Sequence, residues 1–170
     1  PIFFVSDNHF QKRSDDNERG RRKKFYSLLN HIKDNQGTLI IGGDFFDFWF
    51  EYKGYVPFEY LDIFEKLKEL KSSGVEIYYI LGNHDYWDFG FFNRTFATES
   101  FKNQFCFKHD NQKIVIMHGD GVLKEDRGYR LFRRIIRSKL CIFLYNLLSP
   151  RIGYYIANKI SHADKPKEYY

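Results

Sequence analysis

The sequence predicts an α/β fold, on three observations. Short continuous apolar runs alternate with stretches of helical hydrophobic period, turn residues separate the two kinds of segment, and several polar clusters directly follow an apolar run. Ile2-Phe3-Phe4-Val5 reads as a buried strand that delivers Ser6 and Asp7 at its carboxyl end. From about Arg21 to Lys33, Phe25, Leu28, Leu29 and Ile32 fall at helical spacing, and Gly37 is expected to close that helix. Thr38 to Ile41 is the second strand. Leu61, Phe64, Leu67 and Leu70 form one stripe of a helix from Phe58 to Lys71, which Gly74 should end before a third strand, Val75 to Leu81. Strands separated by helices imply parallel pairing. Gln104 to Lys108 and Lys113 to Met117 flank His109-Asp110-Asn111 and read as a hairpin whose second strand runs into His118. Tyr129 to Ile160 reads as two helices separated by Ser149-Pro150.

With 170 residues, 43% of them apolar and 20% aromatic, the chain can bury a core without staples. Its formal charge of +5 is concentrated where Arg127, Arg130, Arg133, Arg134, Arg137 and Lys139 crowd together, a segment that should attract anions. No apolar stretch reaches the roughly 18 uncharged residues of a spanning helix, and no signal peptide opens the chain. Cys106 and Cys141 lack a C-x-x-C spacing and lie in apolar runs, so buried thiols and a cytoplasmic location are expected. The start at Pro1 without an initiator Met leads us to expect processing or an incomplete record.

The chemistry concentrates where strands end. Asp7, Asp44, Asn83 and His118 each follow an apolar strand, the place where open α/β sheets assemble ligand sites. Asp7-Asn8-His9 offers a carboxylate and an imidazole two residues apart. Gly42-Gly43-Asp44 offers a carboxylate with close backbone approach, able to bridge two ions. Gly82-Asn83-His84-Asp85 offers a neutral carbonyl ligand beside an imidazole that can face substrate, and His118-Gly119-Asp120 adds another imidazole. Any one of these alone is more often a capped or solvated turn; the ordered set is not. His31 and His109 are expected at the surface and receive no metal role. The aromatic run Phe45, Phe46, Phe48, Trp49 and Phe50 is read as core in preference to an acyl cradle.

Asp-x-His, Gly-Asp-x-x-Asp, Gly-Asn-His-Asp and His-Gly, in that order, resemble the signature of the calcineurin-like metallophosphoesterases. The resemblance implies a β-sandwich flanked by helices with a helical insertion near the C-terminal end. It also implies two divalent ions, manganese first and iron or zinc as alternatives. Asp7 and His9 would hold one ion, Asn83 and His118 the other, and Asp44 would bridge. His84 would be the catalytic, substrate-facing group, with Asp47 orienting a ligand from outside. The family's later Gly-His-x-His motif does not occur before Tyr170, so further chain carrying it is expected.

His118-Gly-Asp120 followed by Asp126, Tyr129 and Arg133 resembles the UDP-2,3-diacylglucosamine hydrolases of lipid A biosynthesis, although Gly-Asn-His84 stands where familiar members carry Gly-Asn-Arg. That resemblance implies cleavage of a pyrophosphate to UMP and lipid X, with Asp126, Tyr129 and Arg133 meeting substrate. The expected domains are a core over 1–128 and a basic, apolar helical cap or insertion over 129–170. Leu131, Phe132, Ile135 and Ile136 interleaved with arginines suit an anionic membrane surface as well as a packed helix, so a peripheral position on the inner face of the cytoplasmic membrane is open. Two other readings stand beside this one: a phosphodiesterase or phosphatase for another nucleotide or a phosphoprotein, and a nucleic-acid-binding module using the basic helix. The metal motifs argue against the last, and nucleic acid is not an expected partner.

Overall fold

The strands form where the apolar runs place them. In a computed structural model that describes residues 1–161 apart from Ser14, Lys124 and Asp126, β1 (Ile2–Val5), β2 (Thr38–Ile41), β3 (Ile77–Ile80) and β4 (Glu99–Phe101) build one parallel sheet in sequential order. Its register pairs Phe3 with Leu39, Leu39 with Ile77 and Tyr79 with Ser100. β2 and β3 are central strands, buried almost throughout, which is why they read as uninterrupted apolar runs rather than alternating ones. β4 went unpredicted because Glu99-Ser100-Phe101 carries no apolar pattern; it is an edge strand.

Two helices join the strands and pack over one face of the sheet: α1 (Asp16–Asp34) and α2 (Leu61–Ser72), the latter entered through a 3₁₀ turn at Phe58–Tyr60. Phe25, Leu29 and Ile32 of α1 and Ile63, Phe64, Leu67 and Leu70 of α2 meet Leu39, Ile41, Ile77 and Tyr79 in one buried cluster. α1 begins about five residues earlier than its apolar period indicates. Asp15 caps it by accepting from Glu18 N at 2.8 Å, and Asp16 and Glu18 complement the dipole of its first turn. At its other end the left-handed residue is Gln36 rather than Gly37. Gly37 is required for a different reason: a Cβ there would lie 2.5 Å from the Phe3 ring. Gly74, at φ +91°, does end α2 as expected.

The aromatic run is core. Phe45, Phe46, Trp49 and Phe50 are buried, Phe46 lying against Trp49, Tyr60, Phe64 and the Phe92 of a short helix α3 (Phe91–Thr95), whereas Phe48 is half-buried beside Trp87. On the opposite face of the sheet, a separate two-stranded sheet of β5 (Gln104–His109) and β6 (Gln112–Met117) attaches through Phe105, which stacks on Tyr78 at 4.6 Å and Phe101 at 4.8 Å. Its turn residues Asp110 and Asn111 both have positive φ, as a two-residue hairpin of this hand requires. Cys106 faces solvent on β5 and Cys141 is half-buried, both as free thiols, which corrects the expectation that they are buried: alternation along the hairpin sends Cys106 outward, opposite the exposed Val115.

The chain divides after His118, ten residues before the boundary drawn from sequence. In the second unit the helical tail has three helices, not two: α4 (Arg127–Ile136), α5 (Lys139–Asn146) and α6 (Pro150–Ser161). The additional break comes from Ser138, whose hydroxyl accepts from Cys141 N at 3.2 Å and restarts the chain as a capped helix. Tyr145 donates to Gly153 O at 2.6 Å and ties α5 to α6. Among the described residues no helix is long and apolar enough to cross a membrane.

Candidate metal centre

The backbone pairing that makes the sheet continues beyond it and builds the site. Past the ends of β1 and β2, Asp7 N donates to Gly43 O at 3.0 Å, His9 N to Asp44 O at 2.9 Å and Phe10 N to Phe45 O at 2.9 Å, so the two loops run side by side. Asp7, His9 and Asp44 all adopt left-handed backbone, at φ 53°, 44° and 50°. Such conformations are costly for non-glycine residues and cluster at functional sites, and Asp is among the residues that tolerate them best.

The loop after β3 closes in from the other side. Gly43 and Gly82 permit this: a Cβ on Gly82 would lie 2.1 Å from Asp44 Oδ1, and one on Gly43 would lie 2.7 Å from both Gly82 N and His118 Nδ1. Asp85, fully buried, fastens the two loops. Its Oδ2 accepts from Phe45 N at 2.9 Å and Tyr79 OH at 2.5 Å, and its Oδ1 from Gly82 N at 2.6 Å. Sequence reasoning gave Asp85 no role, although an acid directly after a strand-end Asn-His was a signal to be weighed.

Asp44 is the pivot. His84 N donates to its Oδ1 at 2.9 Å, which leaves Oδ2 facing His118 Nε2 at 3.3 Å and His9 Nε2 at 3.8 Å. Two sets of side chains, His9 with Asp44 and His84, and Asp7 with Asp44 and His118, each bring one donor atom per residue within 4.8 Å of the others. Asn83 Oδ1 lies 3.1 Å from His118 Nε2 and so joins the second set. Asp7 therefore falls in the set with His118 and His84 in the set with His9, and Asp44 belongs to both, its Oδ2 facing the two imidazoles of His9 and His118. His84 therefore stands among groups that could hold an ion.

The histidine tautomers are fixed by carbonyls. His118 Nδ1–H donates to Gly42 O at 3.0 Å and His84 Nδ1–H to Asp47 O at 2.6 Å, which aims both Nε2 atoms into the site. Asp47 thus orients His84 through its backbone oxygen. Burial alone would lower the pKa of His118, yet the hydrogen bond and charge of Asp44 dominate and raise it to about 9. Burial likewise opposes the charge on Asp44, but the His118 hydrogen bond, the His84 N–H and the two imidazoles hold its carboxyl below the usual range. Burial and, less strongly, the neighbouring His84 depress the pKa of His9 despite nearby carboxylates, which favours the neutral imidazole that a metal requires. The positive charge of His118 beside Asp44 at neutral pH occupies a place suited to a cation, and nitrogen, carboxylate and amide oxygen donors together fit a borderline divalent ion such as Mn, Fe or Zn. The residues present fit the implied metals.

The expected substrate contacts lie in the second unit. There Asp120 gathers Arg137 Nη2 at 2.7 Å, Arg133 Nε at 2.6 Å and, at 3.5 Å, the Tyr129 hydroxyl. Tyr129 and Arg133 thus share one partner, while Asp126 lies outside the described residues. Leu131, Ile135, Leu140, Phe143 and Leu144 are exposed along α4 and α5.

A family model described as calcineurin-like phosphoesterase matches residues 1–165. A UDP-2,3-diacylglucosamine hydrolase from Pseudomonas fluorescens (strain SBW25) is 30% identical over 159 residues, covering 94% of this chain and 62% of that protein. One from Porphyromonas gingivalis is 28% identical over 151 residues, covering 88% and 58%. The chain thus spans about three fifths of the length of these curated relatives. A crystal structure of a protein of unknown function from Aquifex aeolicus aligns at TM-score 0.42 with 20% identity, over 82% of this chain and 74% of that one.

Proposed function

Since the chain belongs to the calcineurin-like phosphoesterase family, we propose that it hydrolyses the pyrophosphate of UDP-2,3-diacylglucosamine, releasing UMP and a monophosphorylated diacyl sugar. The observation that carries the hydrolytic reading is the divided role of Asp44: Oδ1 accepts from His84 N–H while Oδ2 faces His118 and His9, and the residue belongs to both sets of groups that could hold an ion. Asp7, His9, Asp44, Asn83 and His118 would hold two divalent ions, manganese in our proposal. When bound, such a pair supplies Lewis acidity toward phosphoryl oxygens and activates water at neutral pH.

The chain's own groups account for the remaining steps. His84, with Nδ1–H committed to Asp47 O, would present Nε2 to the leaving oxygen and, in its imidazolium form, give it the Nε2 proton. Arg133 and Tyr129, with Asp126, would meet the phosphate and sugar, and the exposed apolar side chains of α4 and α5 would receive acyl chains. Arginines interleaved with those side chains suit an enzyme working at an anionic membrane surface. The lipid substrate rests on the names of the relatives and on this chemistry of α4 and α5.

Mass spectrometry of the products tests the proposal. UDP-diacylglucosamine incubated with manganese-loaded protein should yield UMP and the phosphorylated diacyl sugar in equal amounts. If that substrate stays intact while a simple phosphodiester is cleaved by the same preparation, the lipid assignment fails and the phosphoesterase reading survives.

A further inference from the structure

Outside the metal centre, α1 presents a cluster of charged side chains to the loop that carries Asp7 and His9. Glu18 is only 2% exposed, and burial of a carboxylate requires partners. Its Oε1 accepts from Gln11 N at 3.1 Å and from Arg22 Nε at 3.1 Å, and its Oε2 from Arg21 Nη1 at 2.7 Å. Both arginines then reach the loop backbone. Arg22 donates to Gln11 O at 2.6 Å while its other Nη is occupied by Glu59 O at 2.6 Å and Asp62 Oδ1 at 2.8 Å. Arg21 donates to Asn8 O and, at 3.5 Å, to His9 O, with its guanidinium 5.5 Å from the centre of the Phe10 ring.

This arrangement matters because of where the loop must go. Asp7 and His9 are both left-handed, a conformation that persists only when its surroundings over-determine it. The backbone bonds to Gly43, Asp44 and Phe45 hold the loop from the sheet side. The opposite side is held at Asn8, His9 and Gln11 by α1. Carbonyls at three of four successive residues therefore end on guanidinium groups, whose forked donors suit this better than a lysine ammonium.

We propose that Arg21 and Arg22, themselves fixed by Glu18, are positioning residues that hold Asp7 and His9 in the conformation needed to receive metal. The proposal rests on the metal-centre reading given above. It predicts an effect on metal affinity beyond any effect on stability, since outer partners of metal ligands typically control affinity by about 10- to 100-fold.

The test compares three variants of the full chain, stripped of metal and titrated with manganese by calorimetry, with amide exchange measured alongside. Arg21→Met keeps the apolar length of the side chain and removes the donors; Arg21→Lys keeps the charge; Ile77→Val lowers stability from the core, at the end of β3 opposite the site loops. Arg21→Met should raise the manganese Kd about tenfold or more and speed exchange of the His9 and Phe10 amides. Arg21→Lys should recover part of both losses. Ile77→Val should leave the Kd within about twofold, as expected for a site that shares no partner with Arg21. Wild-type affinity and unchanged His9 and Phe10 exchange in Arg21→Met would overturn the proposal, as would an equal loss of affinity in Ile77→Val. If the wild type itself fails to bind manganese, the metal reading falls first. Exchange at His9 and Phe10 then still shows whether Arg21 orders the loop, and unchanged exchange overturns that too.

Discussion

Replacing Asp85 by alanine should destabilise the protein by an amount that grows as the solution is made acidic. Asp85 accepts from Phe45 N, Gly82 N and Tyr79 OH with no solvent exposure, so truncation strands three buried donors. At roughly 2 kcal/mol per donor, the loss is about 6 kcal/mol. Against this stands relief of a buried charge. Burial first, and repulsion from Asp44 second, raise the pKa of Asp85 to about 6 from the ordinary 3.8. A shift of that size corresponds to about 3 kcal/mol at neutral pH, which the variant no longer bears. The difference between wild type and Asp85→Ala is then about 3 kcal/mol at pH 7.5.

The sign with pH follows from linkage. A carboxyl whose folded pKa is raised binds its proton more tightly in the fold, so its contribution is most favourable below the unfolded value and is lost as pH rises from about 4 to about 6. At pH 5 the wild type should regain about 1.4 kcal/mol relative to the variant. Asp88, also raised to about 6 by burial, titrates in both proteins and cancels in the difference. The assay is urea unfolding followed by tryptophan fluorescence, in chelator so that no cation offsets the charge of Asp44. A difference under about 1 kcal/mol at both pH values, or one that shrinks on acidification, would refute the argument.

Further outcomes follow from the same geometry. Asp44→Asn preserves the acceptor for His84 N and the tolerance for left-handed backbone but removes the charge paired with His118, so it should abolish metal-dependent turnover and lower the melting temperature of the metal-free protein at neutral pH; metal content and Tm on one preparation check this. Gly82→Ala drives a methyl group into Asp44 Oδ1 and should weaken manganese binding at least tenfold, read by calorimetry. His84→Ala should cut turnover about a hundredfold or more, and metal content measured alongside separates a proton donor, which leaves it unchanged, from a ligand, which does not. Arg134→Ala, at an exposed position on α4, should weaken sedimentation with anionic vesicles by about fivefold, near 1 kcal/mol for one basic residue at such a surface; neutral vesicles serve as the control.

What could be read from the sequence was what depends on local pattern. β1, β2 and the hairpin strands were legible because apolar runs and turn residues are short-range signals, and the ligand-bearing segments were legible because each follows such a run. The first turn of α1 was missed for want of apolar residues, although Asp15 followed by Glu18 is a capping signal. α3 and β4 have too little pattern to stand out. The α1 cluster was hidden for a deeper reason: Arg22 meets Asp62 and Glu59 forty and thirty-seven residues away, and no local rule links them. The sequence places Asp7, Asp44, Asn83 and His118 at strand ends, but the meeting of His9 and His118 on one oxygen of Asp44 depends on loops far apart in the chain and has no local signal.

The sequential strand order has a consequence for biogenesis. Because β1, β2, β3 and β4 neighbour one another in the order they are synthesised, each emerging strand finds its partner already formed, and the sheet can lengthen at one edge during translation. Asp7, Asp44 and Asn83 would be assembled in that phase. His118 arrives last, at the end of a hairpin that can dock through Phe105 only once Tyr78 and Phe101 are in place. Metal capture should therefore trail sheet formation in a refolding experiment, with manganese uptake lagging the far-ultraviolet signal; simultaneous onset would speak against this order.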